Sequence, residues 1–183
     1  MAWGKAMFIA GVGGWLSANN ASSDDITAEE IAKFYGRAAR TVMPKAPSFS
    51  SVPLTLKSDQ IIAAGFSASF KLARAMSIGI PNPVVWTPAA TAIVTYWTAV
   101  NFSPMPPPPG GLTGTTNITT VPGSPVPLNF QIGQAFQQND PFKVANKLNT
   151  AVVNHLKLVT GLWTGTAPGS PPVPFVLPWV GLK

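Results

Sequence analysis

The chain has 183 residues, enough for one domain with a real core and too few to expect two. Hydrophobic residues make up 46% of it but charged residues only 10%, against about a quarter in soluble domains, so much of the surface must be uncharged and suited to burial against protein or lipid. Lys and Arg outnumber Asp and Glu for a net charge of +6, which permits acidic partners, and the absence of cysteine excludes disulfides and thiolate metal sites.

At the amino terminus Lys5 precedes the apolar run Ala6 to Leu16 and then Ser17-Ala18, the outline of a secretory leader. Gly11, Gly13 and Gly14 make it a poor spanning helix, and the segment is expected to be retained. No other run reaches the roughly eighteen apolar residues that a membrane helix needs, because Lys71 and Arg74 interrupt one stretch and Pro88 and Pro104 bound the next. A membrane location is therefore not expected.

The first helix is predicted from Thr27 to about Val42, with Thr27-Ala28-Glu29-Glu30 as a capping box and Pro44 as the stop. Ile31, Phe34, Tyr35, Ala38 and Val42 make its apolar stripe, while Glu29, Lys33, Arg37 and Arg40 stay wet. A second helix is predicted after Ser58, an N-cap with Asp59 in the first turn, running to about Ser77 before Gly79 and Pro81. Its small residues from Ala63 to Ser69 would let another helix approach closely. Thr87 as N-cap and Pro88 at the first position signal a third helix to about Asn101, apolar on nearly every side and therefore buried. The fourth uses the same device at Asp140-Pro141 and extends to about Thr160, with Ala145, Leu148, Val152, Leu156 and Val159 inward. Leu128 to Gln138 is a possible short helical lead-in.

Between the last two helices, Ser103 to Pro127 holds the run Pro106-Pro107-Pro108-Pro109 and a Thr-rich stretch around Ile118 and Val121, for which polyproline geometry and a short extended segment are expected. The stretch from Gly165 to Lys183 repeats the style and adds Phe175, Val176, Leu177, Trp179 and Val180, apolar residues that need a covering surface. Trp97-Thr98 and Trp163-Thr164 each precede a proline-rich extension, a shared building device. Such arms lose less entropy on ordering than flexible ones and suit reaching across neighbouring subunits.

Catalytic chemistry finds little material. His155 is the only histidine and is expected as a hydrogen-bonded side chain at a packing edge, while five of the six acids lie at predicted helix starts, where capping explains them. Gly11-Val12-Gly13-Gly14 lacks phosphate-loop spacing. The basic residues are not interleaved with aromatics, so no specific nucleic-acid recognition is expected. No cofactor, metal or catalytic residue is assigned.

The helical segments joined to Pro/Gly/Thr-rich arms, with Tyr96-Trp97 before a proline run, His155-Leu156 followed by Val159-Thr160-Gly161-Leu162, and the closing Leu177-Pro178-Trp179-Val180-Gly181-Leu182-Lys183, resemble structural proteins of contractile-tailed bacteriophages. The resemblance implies a virion component of tail, baseplate or neck whose partners are other virion structural proteins or further copies of itself. The expected fold is mainly α, about four helices with long proline-rich arms and little or no β. Residues 1-162 would form a helical body interrupted by the arm 103-127, and 163-183 a C-terminal arm. Trp97, Pro106, Pro107, Trp163, Phe175 and Trp179 are the candidate subunit-interface residues; Trp97 and Trp163 could equally complete the chain's own core, whereas the tail residues Phe175 and Trp179 fit that alternative less well. The alternatives are a membrane-active helical protein and a basic peptide- or nucleic-acid-binding module.

Overall fold

The computed structural model describes residues 3–19, 22–45, 50–53, 56–76, 82–98, 100–105, 113–122 and 127–183, with the side chains at 50–52, 103–105, 113 and 115 left aside. Among the described residues six α-helices and an antiparallel sheet share one core, which overturns the expectation of a mainly α chain with little or no β. The helices are α1 (Lys5–Ala18), α2 (Asp24–Ala39), α3 (Gln60–Met76), α4 (Thr87–Trp97), α5 (Leu128–Phe136) and α6 (Pro141–Leu156). A 3-10 turn, Pro83–Trp86, leads into α4, its first amide held by the Asn82 side chain.

The helix ends show which capping signals operate. Ser23 Oγ accepts from the Ile26 amide, so α2 starts a turn before Thr27, and Glu30 pairs with Lys33 at 3.0 Å instead of closing a box. Ser58 Oγ accepts from Gln60 N at 3.2 Å, and Asp140 Oδ1 accepts from Phe142 N and Lys143 N at 2.8 and 3.0 Å. Thr87 does not cap α4. The Ala89 amide is instead held by the buried Ser69 Oγ of α3 at 3.1 Å, an N-cap supplied by a neighbouring helix.

Two of the glycines that make the amino-terminal run a poor membrane-spanning helix, Gly11 and Gly13, are what let α1 pack. A Cβ on Gly11 would meet the Phe34 ring of α2 at 2.2 Å, and one on Gly13 the Phe142 ring of α6 at 2.6 Å. Trp3 seals this corner, donating from Nε1 to Asn149 Oδ1 at 2.9 Å in a buried pair. The small face of α3 works the same way, since a Cβ on Gly65 would stand 2.4 Å from the Ala92 methyl of α4. At the centre Trp97 donates to the Tyr35 hydroxyl at 2.7 Å, and both rings are fully buried.

The segments expected as arms form the sheet. Its strands β1 (Ser50–Pro53), β2 (Asn101–Met105), β3 (Thr113–Thr120), β4 (Thr160–Ala167) and β5 (Val173–Val180) lie in sequence order, β1 being a short addition at one edge. Thr and Val suit a pleated surface, and prolines are tolerated where no ladder amide is required. The strands β2 and β4 begin at Asn101 and Thr160, the residues where the third and fourth helices are predicted to end; the helices themselves stop earlier, at Trp97 and Leu156. The closing residues are pinned as well. Met43 and Lys183 exchange two backbone hydrogen bonds at 2.8 Å, and Leu182 N donates to Leu156 O at 2.9 Å.

Candidate functional site

Register fixes which side chains share each face of the sheet. Opposite pairs Gly161↔Trp179, Trp163↔Leu177 and Gly165↔Phe175, continued by Thr116 and Phe102, share the core-facing side of the sheet, on which Leu177 at the β5 edge is nevertheless 38% exposed. The intervening pairs Thr160↔Val180, Leu162↔Pro178, Thr164↔Val176 and Thr166↔Pro174, continued by Asn117 and Asn101, form the outer face. There Val176 is 59% and Val180 64% exposed. None of the strands carries an ionisable side chain, so this face is wholly uncharged.

The candidate anchors divide accordingly. Trp97, Trp163 and Trp179 are buried in this chain's own core, Trp97 against Tyr35 and Trp179 edge-on to Phe102 at 6.3 Å. Phe175 is half-buried against Trp163 at 4.6 Å. Pro106 and Pro107 lie outside the described residues. Trp163, Phe175 and Trp179 therefore come together on the inward face while Trp97 stands apart among the helices. Val176 and Val180, expected with the rest of the tail to need a covering surface, are exposed but are not among the candidate interface residues. Val-Pro-Phe-Val-Leu-Pro-Trp-Val is apolar at every position, so its period of two hides which side is covered.

The free edge of β5 is blunted. Gly181 N donates to Val159 O at 2.7 Å, which makes 159 and 181 a hydrogen-bonded pair. By alternation the amides of residues 174, 176, 178 and 180 then point away from β4. Two of those positions are Pro174 and Pro178, which have no amide hydrogen to offer.

Charge sits elsewhere. Asp24 and Asp25 at the start of α2 pair with Arg74 and Lys71 at the end of α3, at 2.6 and 2.8 Å, and Arg40 lies 3.8 Å from Asp59. The bonds from Lys71 and Ser67 hold the Asp25 carboxyl below its ordinary range. Arg37 stacks over Phe34 at 5.6 Å.

A second feature lies between α5 and α6. A half-open pocket of about 120 Å³ is lined by Pro122, Pro127, Leu128, Ala151 and Leu158 together with Gln131, Asn154 and His155. It adjoins a wider polar opening of about 330 Å³ whose lining includes Gln131, Gln134, Lys147, Thr150 and Asn154. His155 is 6% exposed, and its buried Nε2 has no hydrogen-bond partner among the described residues. Burial alone pulls its pKa down to about 4, which keeps the ring neutral at pH 7. Among the described residues no three metal-ligating side chains gather, and no helix is long and apolar enough to cross a membrane.

No family model, curated protein or solved structure matches the chain.

Proposed function

We propose that this protein is a structural subunit of a viral particle, of the tailed-phage kind that its sequence resembles, and that it joins a neighbouring particle protein through the outer face of its sheet. One observation carries the reading: the sheet has no ionisable side chain on any strand, and its open face presents Val176 and Val180 beside Thr, Asn, Leu and Pro. Sheets that face water ordinarily place charged side chains on the exposed face and edge to prevent association. Here the charges are kept off the strands, and the β5 edge is blunted by proline while the face is left bare. A face of that composition is suited to burial against another uncharged protein surface, where no ion needs to be desolvated.

The test is incorporation. In a host producing the particles, the chain should co-sediment with them at a fixed stoichiometry. A Val176→Lys/Val180→Lys chain, shown to be folded by circular dichroism, should stay in the soluble fraction. Equal co-sedimentation of the two would sink the sheet face as the contact, and absence of the unmodified chain from particles would sink the structural reading altogether.

A further inference from the structure

The open face of α6 carries cations and amides and no acid. Lys143, Asn146, Lys147, Thr150, Asn154 and Lys157 are all exposed. At about 100° of turn and about 1.5 Å of rise per residue, the three lysines fall within about 80° of arc, and Lys143 and Lys157 stand about 21 Å apart along the axis. α5 adds the amides of Gln131 and Gln134 beside Lys147 and Asn154. At the far end Lys45 joins Lys157, since a Cβ on Gly181 would lie 3.3 Å from Lys45 Cδ and 3.6 Å from Lys157 Cα.

A helix face that is merely solvated ordinarily mixes both signs of charge. This one does not, whereas the α2–α3 surface does. There Asp24, Asp25, Glu30 and Asp59 are ion-paired to Arg74, Lys71, Lys33 and Arg40. Among the described residues no ion pair involves Lys45, Lys143, Lys147 or Lys157. Asp140, the acid nearest to the stripe in sequence, is engaged by the Phe142 and Lys143 amides. The placement is also unfavourable to the helix itself. Lys143 lies in the first turn, where the dipole disfavours a cation, and Lys143 and Lys147 are like charges four residues apart. Helix stability explains neither.

The composition of the face selects the kind of anion. Lysines act on phosphate as point charges, and Asn and Gln amides donate to phosphate oxygens, contacts that position a protein on a nucleic-acid backbone. None of these residues is an arginine, whose fork reads guanine, or an aromatic on which an unpaired base could stack. We propose that the α6 face, extended by Lys45, docks on the phosphate backbone of a nucleic-acid duplex without reading its sequence. It shares no residue with the outer sheet face, so this contact and the sheet contact stand or fall separately.

Fluorescence anisotropy with two DNA duplexes of equal length and unrelated sequence, titrated at several salt concentrations, tests the proposal. The two duplexes should bind alike. At about −0.9 per phosphate, four lysines give log K against log[salt] a slope of about −3 to −4, so that raising salt from about 50 to about 200 mM weakens binding about 100-fold. Lys143→Gln/Lys147→Gln should make the slope shallower by about 2 and reduce that loss to about tenfold. Lys33→Gln/Lys71→Gln removes the same charge from α2 and α3 and should leave the slope unchanged. All four side chains are exposed, so both variants should keep the circular dichroism of the unmodified chain. No saturable binding at the lower salt, an equal change of slope in the two variants, or a more than tenfold preference for one duplex would overturn the proposal. Tighter binding to polyglutamate or to phosphatidylserine vesicles than to the duplexes would also overturn it, by making the face a contact for an acidic protein or a membrane.

Discussion

Acidification should destabilise this protein through His155 before its carboxylates matter. The imidazole's ordinary value is 6.5, and burial lowers it to about 4 in the folded chain. As pH falls through 6.5 the unfolded chain takes up a proton that the folded chain refuses until about 4. Stability is therefore full above 6.5, declines below it, and stops declining below about 4. At about 1.4 kcal/mol per pH unit the whole window is worth about 3 kcal/mol, of which about 2 kcal/mol is lost between pH 7 and pH 5. The groups around the ring do not blur this. α5 has no ionisable side chain, and the nearest charged side chains on the α6 side are Lys147 and Lys157. Urea unfolding at pH 7, 6 and 5, on the unmodified chain and on His155→Leu, isolates the term by difference. The unmodified midpoint should fall relative to the His155→Leu midpoint as pH drops from 7 to 5, because only the unmodified chain carries the titration. Midpoints that shift in parallel would refute a buried neutral imidazole.

Three further perturbations probe the fold. Gly161→Ala would place a Cβ 2.1 Å from the Trp179 ring and 2.2 Å from Asn117 O, and should cost about 1–3 kcal/mol in urea unfolding with a changed near-ultraviolet tryptophan signal. Asp140→Ala removes the acceptor for two first-turn amides of α6 and should cost about 1 kcal/mol, measured the same way. Trp97→Phe strands the buried Tyr35 hydroxyl and should cost about 1–3 kcal/mol. Adding Tyr35→Phe should then cost less than it does alone, as a double-mutant cycle would register.

What the sequence made legible was the part of the fold governed by local rules. Asp140 and Ser58 cap the helices that they announce, and the stripes of α2 and α6 face the core as their spacing predicts. The misses are non-local. α1 has apolar residues all around it and glycines whose use depends on Phe34 and Phe142, far away in the chain. The strands were masked because their prolines and glycines speak for turns. Pro174 and Pro178 sit instead on an edge where no amide is needed, and Gly161 makes room for Trp179 across the ladder. The candidate site divided along the same line. Large aromatics were recognisable as anchors, but whether Trp163 anchors its own chain or another depends on strand pairing. The exposed Val176 and Val180 carried no signal beyond composition.

The proline placement bears on how such a protein can associate without aggregating. An uncharged sheet with a free edge would ordinarily invite strand addition, which propagates from copy to copy because each added strand exposes a new edge. On β5 the two proline positions remove amide donors from that edge, so an incoming strand would find a ladder with gaps. The outer face has no such defence. Face-to-face burial terminates when the face is covered, whereas edge pairing does not. The prolines that disguised these residues as flexible arms thus direct association away from an open-ended mode and toward one that closes. Restoring the edge amides with Pro174→Thr/Pro178→Thr should accordingly raise fibril formation, followed by thioflavin fluorescence, more than Val176→Thr on the face does, and a reversed order would contradict this division of roles.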